Sequence, residues 1–147
     1  MKPHLLLYGT FTGNTFDAAT HLFGVLSKDF PNQQFELRSV REITPEKLAS
    51  YNKIIFGTST WDDAPNPETK EFMEELTKSN TDLSKSSVAV FMLGDTRYQD
   101  FCAALPQVKN QLGSLGAQLH HTDFTIDGIP TTDMFQQLTD WAKKFVI

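Results

Sequence analysis

Residues 4–23 read HLLLYGTFTGNTFDAATHLF, and the class of fold turns on how this stretch divides. His4 to Tyr8 is a short apolar run, the length of a buried strand and too short for a helix. From Asn14 onward the apolar residues change period. Phe16, Ala19, Leu22, Phe23 and Leu26 recur at three- and four-residue spacing, which predicts one apolar stripe on a helix over 14–30. Pro31 ends that helix, because the residue before a proline is pushed out of the helical region. A strand that passes through one loop into a helix is the first half of a crossover unit. Such units build parallel sheets covered on both faces.

The rest of the chain repeats the pattern. QQFELRSV (33–40) alternates like a strand at a sheet edge. TPEKLAS (44–50) is a short helical turn, with Thr44 as the expected N-cap and Pro45 at the first position. KIIFGTS (53–59) is an apolar strand. NPETKEFMEELTKS (66–79) is a helix with Pro67 near its start and Phe72, Met73 and Leu76 inward. SSVAVFMLGD (86–95) is the central strand. DFCAALPQVKNQLGSLG (100–116) reads as a long helix closed by Gly116, with Pro106 expected to kink it or bend its first part. AQLHHTDFTIDG (117–128) is a last strand, whole or interrupted. TTDMFQQLTDWAKKFV (131–146) is a terminal helix, with Met134, Leu138, Trp141 and Phe145 on one face. The expectation is a single α/β domain over 1–147. Its doubly wound, five-stranded parallel sheet in the order 2-1-3-4-5 forms the middle layer of an α/β/α sandwich.

In such a sheet a ligand binds outside the carboxyl ends of the strands, where the winding reverses. That rule selects the loops after Tyr8, Phe56 and Leu93. In the first, Thr10, Thr12, Thr15 and Asn14 offer hydroxyl and amide donors at a helix N-terminus, and Gly13 permits close approach. The loop holds no Lys or Arg and matches neither GxxxxGK[ST] nor GxGxxG, which leaves one terminal phosphate bound by neutral donors. A plain capped helix start explains these residues equally well. The second loop carries Thr58, Ser59, Thr60, Trp61 and Asp62. Its Trp61 either folds onto the core or covers a planar ligand. Asp62 and Asp63 read as a solvated acidic rim, with no third ligand for a metal. The third loop contributes Gly94, Asp95, Tyr98 and Cys102. Tyr98 is a second aromatic on this edge and Asp95 a turn cap; Cys102 has no adjacent base and reads as a packing residue. A flat ring between Trp61 and Tyr98, its phosphate in the first loop, accounts for all three loops together.

Composition narrows the function. The chain has 147 residues, with 13 Lys plus Arg against 18 Asp plus Glu, a net charge of −5. An acidic surface repels a phosphate backbone, so no nucleic acid is expected. The apolar run near the N-terminus is too short for a signal peptide or a span, so neither membrane insertion nor export is expected, and the location read is cytoplasmic. One cysteine forms no internal disulfide.

At this point the chain closely resembles the flavodoxin family, in its short-chain form. TxTGNT at Thr10–Thr15 is similar to that family's phosphate loop for flavin mononucleotide (FMN). STW at 59–61 and GDxxYxxFC at 94–102 resemble the two loops whose aromatics stack on the flavin, and LGA (115–117) and IDG (126–128) extend the likeness. The resemblance implies a low-potential electron carrier, not an enzyme, that binds one FMN non-covalently. It implies cofactor contacts from Thr10, Phe11, Thr12, Gly13, Asn14, Thr15, Thr58, Ser59, Thr60, Trp61, Asp62, Leu93, Gly94, Asp95, Tyr98, Phe101 and Cys102. No catalytic residue and no metal site are expected. From Asp62 to Glu75 there are six acids against one Lys, a rim expected to stay uncompensated, to disfavour the fully reduced anionic flavin, and to steer redox partner proteins with basic docking surfaces. A monomer is expected. One departure is Asp62, where many relatives carry Gly: a backbone turn there on reduction is costlier for Asp by about 1 kcal/mol. Two other readings share this fold. A small FMN-dependent NAD(P)H:quinone or flavin reductase needs space over the flavin that two stacked aromatics close. A receiver-type signalling module needs an acidic cluster at the first strand's end, where this chain has Gly and Thr.

Overall fold

The computed structural model describes residues 2–10, 13–61, 64–97 and 102–147. Strands β1 (His4–Tyr8), β2 (Phe35–Ser39), β3 (Lys53–Trp61) and β5 (Ser87–Gly94) lie in the order β2-β1-β3-β5, all parallel. The fifth position is shared by two short pieces, β6 (Gln118–Leu119) and β7 (Phe124–Asp127). Both pair in parallel with β5, one at its start and the other at its end. The expected order is therefore observed, with the interruption of the last strand at 120–123. One two-residue strand, β4 (Ala64–Pro65), folds back antiparallel on the end of β3.

Successive strand residues point to opposite faces, and the chain uses both. Leu5, Leu7, Ile54, Phe56, Val88, Val90 and Met92 face one way. There they meet α2 (Pro67–Ser79), through Phe72, Met73 and Leu76, and α3 (Ala104–Ser114), through Val108 and Leu112. Leu6, Ile55, Ala89, Phe91, Leu93 and Ile126 face the other way. They meet α1 (Asn14–Asp29), through Ala18, Ala19, Leu22 and Leu26, and α4 (Thr132–Val146), through Leu138, Trp141, Ala142 and Phe145. The three layers follow from this alternation. No helix among the described residues is long and apolar enough to cross a membrane.

Four sequence expectations change in detail. The stripe of α1 is centred on Thr15, Ala18, Ala19, Leu22 and Leu26. Phe16 and Phe23 sit one residue further round the helix. Phe16 is 42% exposed, its ring leaning on Tyr8 at 5.3 Å. The turn at Pro45–Ser50 is a 3-10 helix whose Thr44 side chain makes no cap bond; Lys47 N–H donates to the Thr44 carbonyl instead. Helix α3 begins only at Ala104, so Pro106 falls in its first turn, where its missing N–H belongs to a group that has no helical partner anyway. Strand β3 continues through Thr60 and Trp61, read from sequence as loop, because β4 pairs with them.

Candidate functional site

The three selected loops do meet at the carboxyl edge of the sheet. Loop one leaves β1 at Gly9, whose N–H donates to the Gly57 carbonyl on β3 at 3.0 Å. A Cβ at Gly9 would stand 1.8 Å from Thr69 Oγ1, so only glycine lets loop one pass under α2. The Gly13 N–H donates to Thr10 Oγ1 at 2.9 Å, closing a short turn. Gly13 is also the N-cap position of α1, at φ +95°, a left-handed conformation that suits glycine. It has no side chain with which to cap, and the space above it is open to 4 Å. The first-turn N–H groups of α1 therefore lack an N-cap side chain, beside the half-buried Asn14 and the buried Thr15.

Loops one and two are locked together by a residue that sequence reasoning passed over. Asn66 is fully buried. Its Nδ2 donates to the Gly9 carbonyl, Thr58 Oγ1 and Ser59 Oγ, each at 3.0 Å, and its Oδ1 accepts the Thr69 N–H at 3.0 Å as the N-cap of α2. Thr58 and Thr69 share a further hydroxyl bond at 2.7 Å. Thr58, expected at the site, is thus spent behind it as support. A readable signal existed: Asn followed by Pro before a helical pattern is an N-cap with proline at the first position.

Trp61 ends β3 at this edge and is 42% exposed. Thr60 and Ser59 are half-buried beside it. The Thr60 hydroxyl donates to Met92 Sδ at 3.1 Å and accepts the Ala104 N–H at 3.4 Å, tying loop two to loop three. In loop three Leu93 is buried in the core and Gly94 is half-buried. Asp95 caps its own turn as expected, accepting the Arg97 N–H at 2.9 Å. The Arg97 guanidinium beside it holds its carboxyl below the usual range. Asp127, at the end of β7, anchors the loop by accepting from Thr96 N–H at 2.8 Å and Thr96 Oγ1 at 2.6 Å. Cys102 is 7% exposed, and burial, with Asp127 adding, pushes its thiol up to about 11. A thiol so held stays protonated near neutrality and packs rather than reacts. Phe11, Thr12, Asp62, Tyr98 and Phe101 lie outside the described residues, as do Asp63 and Asp100 of the acidic rim.

The rim is not uncompensated, which corrects the sequence expectation. Glu68 pairs with Arg41 at 2.6 Å, Asp95 with Arg97, and Asp123 with Lys109 at 2.9 Å. Glu71, Glu74 and Glu75 stay on the exposed side of α2. Glu68 also accepts the Thr10 N–H at 2.7 Å. Arg41 and Glu68 are far apart in sequence and no spacing rule links them. Burial, with Glu42 and then Glu68 nearby, raises the Tyr8 hydroxyl above its ordinary value.

The donor set fits a phosphorylated planar group. The first turn of α1 has no side-chain cap, a Cβ at Gly13 would meet no atom within 4 Å, and an exposed indole ends β3 on the same edge. Comparison with known proteins agrees. The family model described as flavodoxin matches residues 6–141. A flavodoxin of Maridesulfovibrio salexigens is 30% identical over 146 residues, covering 97% of this chain and 95% of the relative. Among solved structures, oxidised flavodoxin 2 of Bacillus cereus superposes with a TM-score of 0.87 at 29% identity, covering 98% of this chain and 97% of the other. A Fusobacterium nucleatum flavodoxin bound to flavin mononucleotide has a TM-score of 0.78 at 15% identity, covering 99% and 98%.

Proposed function

The chain belongs to the flavodoxin family, and from that premise we propose that it holds one FMN non-covalently at the three-loop edge and carries single electrons between redox proteins. The observation that supports the site is the start of α1 at the carboxyl edge, whose first turn has no N-cap side chain, with an exposed Trp61 ending β3 on the same edge. FMN, when bound, supplies the one-electron chemistry. The chain supplies the rest. The first-turn N–H groups and the hydroxyls of Thr10, Thr12 and Thr15 bind the phosphate, with the helix dipole favouring the anion. Trp61 and Tyr98 cover the ring faces and exclude water. Asn66 keeps loops one and two in register. An NAD(P)H-dependent reductase on this fold is not favoured, since the family model and the relatives matched over nearly their whole length are flavodoxins.

Partners of this carrier are redox proteins. Phe16, Trp61 and Ile129 are exposed around the same edge, and Glu71, Glu74 and Glu75 stand beside it on α2. A basic surface with an apolar centre is the complement, and the carrier works as a monomer. Asp62 makes the turn after Trp61 costlier than glycine does, so Asp62→Gly raises the one-electron-reduced fraction at the midpoint of a redox titration. No change in that fraction removes Asp62 from the account.

Titrating the flavin-free full chain with FMN tests the proposal. The expected result is a yellow one-to-one complex that does not oxidise NADPH by itself. Trp61→Ala weakens FMN by about 1–3 kcal/mol if the indole stacks. A colourless protein that takes up no FMN would overturn the function; unchanged affinity in the Trp61 variant would overturn the stacking role.

A further inference from the structure

We propose that Arg41 and Glu68 form a paired-charge clamp on loop one, in which Glu68 positions the loop and Arg41 makes it selective for a phosphorylated flavin over an unphosphorylated one. The inference rests on reading residues 10–15 as the phosphate site.

Glu68 stands in the first turn of α2 with its side chain 13% exposed, and both carboxylate oxygens are engaged. Oε1 accepts the Thr10 N–H at 2.7 Å and Oε2 accepts from Arg41 Nε at 2.6 Å. The Thr10 amide is therefore turned to α2, while its hydroxyl accepts from the Gly13 N–H at 2.9 Å. Glu68 shapes the loop at a cost: it sets a carboxylate beside the place where a dianion is to sit. Residues 9–15 contain no Lys or Arg to offset it.

Arg41 is the offset. It lies in the turn after β2, which opens on the same edge of the sheet. That turn is built, not loose. Val40 N–H donates to the Tyr8 carbonyl at 2.9 Å, Arg41 N–H to Ser39 Oγ at 3.1 Å, and Ser39 N–H to Glu42 Oε1 at 2.8 Å. The guanidinium has five N–H donors, and Nε–H is the one committed to Glu68. Its side chain is 69% exposed, so the remaining face is accessible to an anion within the screening length of about 10 Å at 0.1 M salt. Glu42 acts on Tyr8 at the end of β1 and Glu71 acts on Arg41, and both are negative. Without Arg41 the carboxylates of Glu68, Glu42 and Glu71 work against the pull of the α1 N-terminus on phosphate. Riboflavin, which has the ring and no phosphate, does not feel this difference.

The test titrates the flavin-free full chain with FMN and with riboflavin at low and high salt, for wild type, Arg41→Ala, Arg41→Lys and Glu68→Gln. Arg41→Ala should weaken FMN about threefold to tenfold at low salt. It should change riboflavin less than about twofold, and the loss should shrink in about 1 M salt, where repulsion is screened. Arg41→Lys should recover part of the loss. Glu68→Gln, which keeps an acceptor for the Thr10 amide and removes the charge, should tighten FMN. Equal loss for both flavins, a loss that salt leaves unchanged, or no loss at all would overturn the clamp. If wild type itself binds both flavins equally, the phosphate-site reading fails instead.

Discussion

Helices α1 and α2 both start at the carboxyl edge of the sheet, and their first turns are finished in opposite ways. At α2 the N-cap is Asn66, fully buried, with its carbonyl on the Thr69 N–H and its amide spread over Gly9, Thr58 and Ser59. At α1 the N-cap is Gly13 in a left-handed conformation, with no side chain and open space above it. Helix α4 resembles α2, its Thr131 hydroxyl accepting the Met134 N–H at 3.3 Å, though on the surface. A helix that only needs stability satisfies its first donors internally. A helix that serves an anion leaves them to the ligand, and its neighbour must hold the loop in place.

That contrast makes distinct demands on three substitutions. Asn66→Ala should have the largest effect. It strips a buried cap and takes the amide donor from the Gly9 carbonyl and the Ser59 hydroxyl, so urea unfolding should show a loss of about 2–4 kcal/mol. FMN should also bind more weakly, because loops one and two lose their tie. A loss below about 1 kcal/mol would mean that Asn66 does not couple the loops. Gly13→Ala meets no atom within 4 Å, yet φ +95° strains any Cβ. Stability should fall by about 1 kcal/mol and FMN affinity with it. If FMN affinity holds while stability falls, the open helix start is not the phosphate site. Thr131→Ala should be the mildest, about 0.5 kcal/mol for an exposed cap, with FMN binding untouched. A change in FMN affinity there would blur the distinction between caps for stability and starts for ligands.

The legible part of the molecule was local. Apolar runs at Leu5–Leu7, Ile54–Phe56 and Val88–Leu93 show strand period, and α1 and α4 show helical period, so the order of elements and the three layers followed. Glycine and hydroxyl clusters at strand ends marked the carboxyl edge, where the three loops meet. What misled was also local. Phe16 continued an apolar stripe that tertiary packing centres one residue earlier, and Pro106 looked internal until the helix start fell at Ala104.

The sequence by itself determined the winding of the sheet, the loops that gather at its carboxyl edge, and the absence of a cation within loop one. Those are consequences of residue period and composition, which need no third dimension. Only the tertiary structure decided which charges meet. Arg41 and Glu68 come together because β2 and α2 both open on the edge that β1 ends at, and Asn66 reaches Gly9 because loop one runs against the start of α2. Hydrogen bonds and ion pairs act over a few ångströms, so residues distant in the chain acquire partners only when the fold brings them within reach.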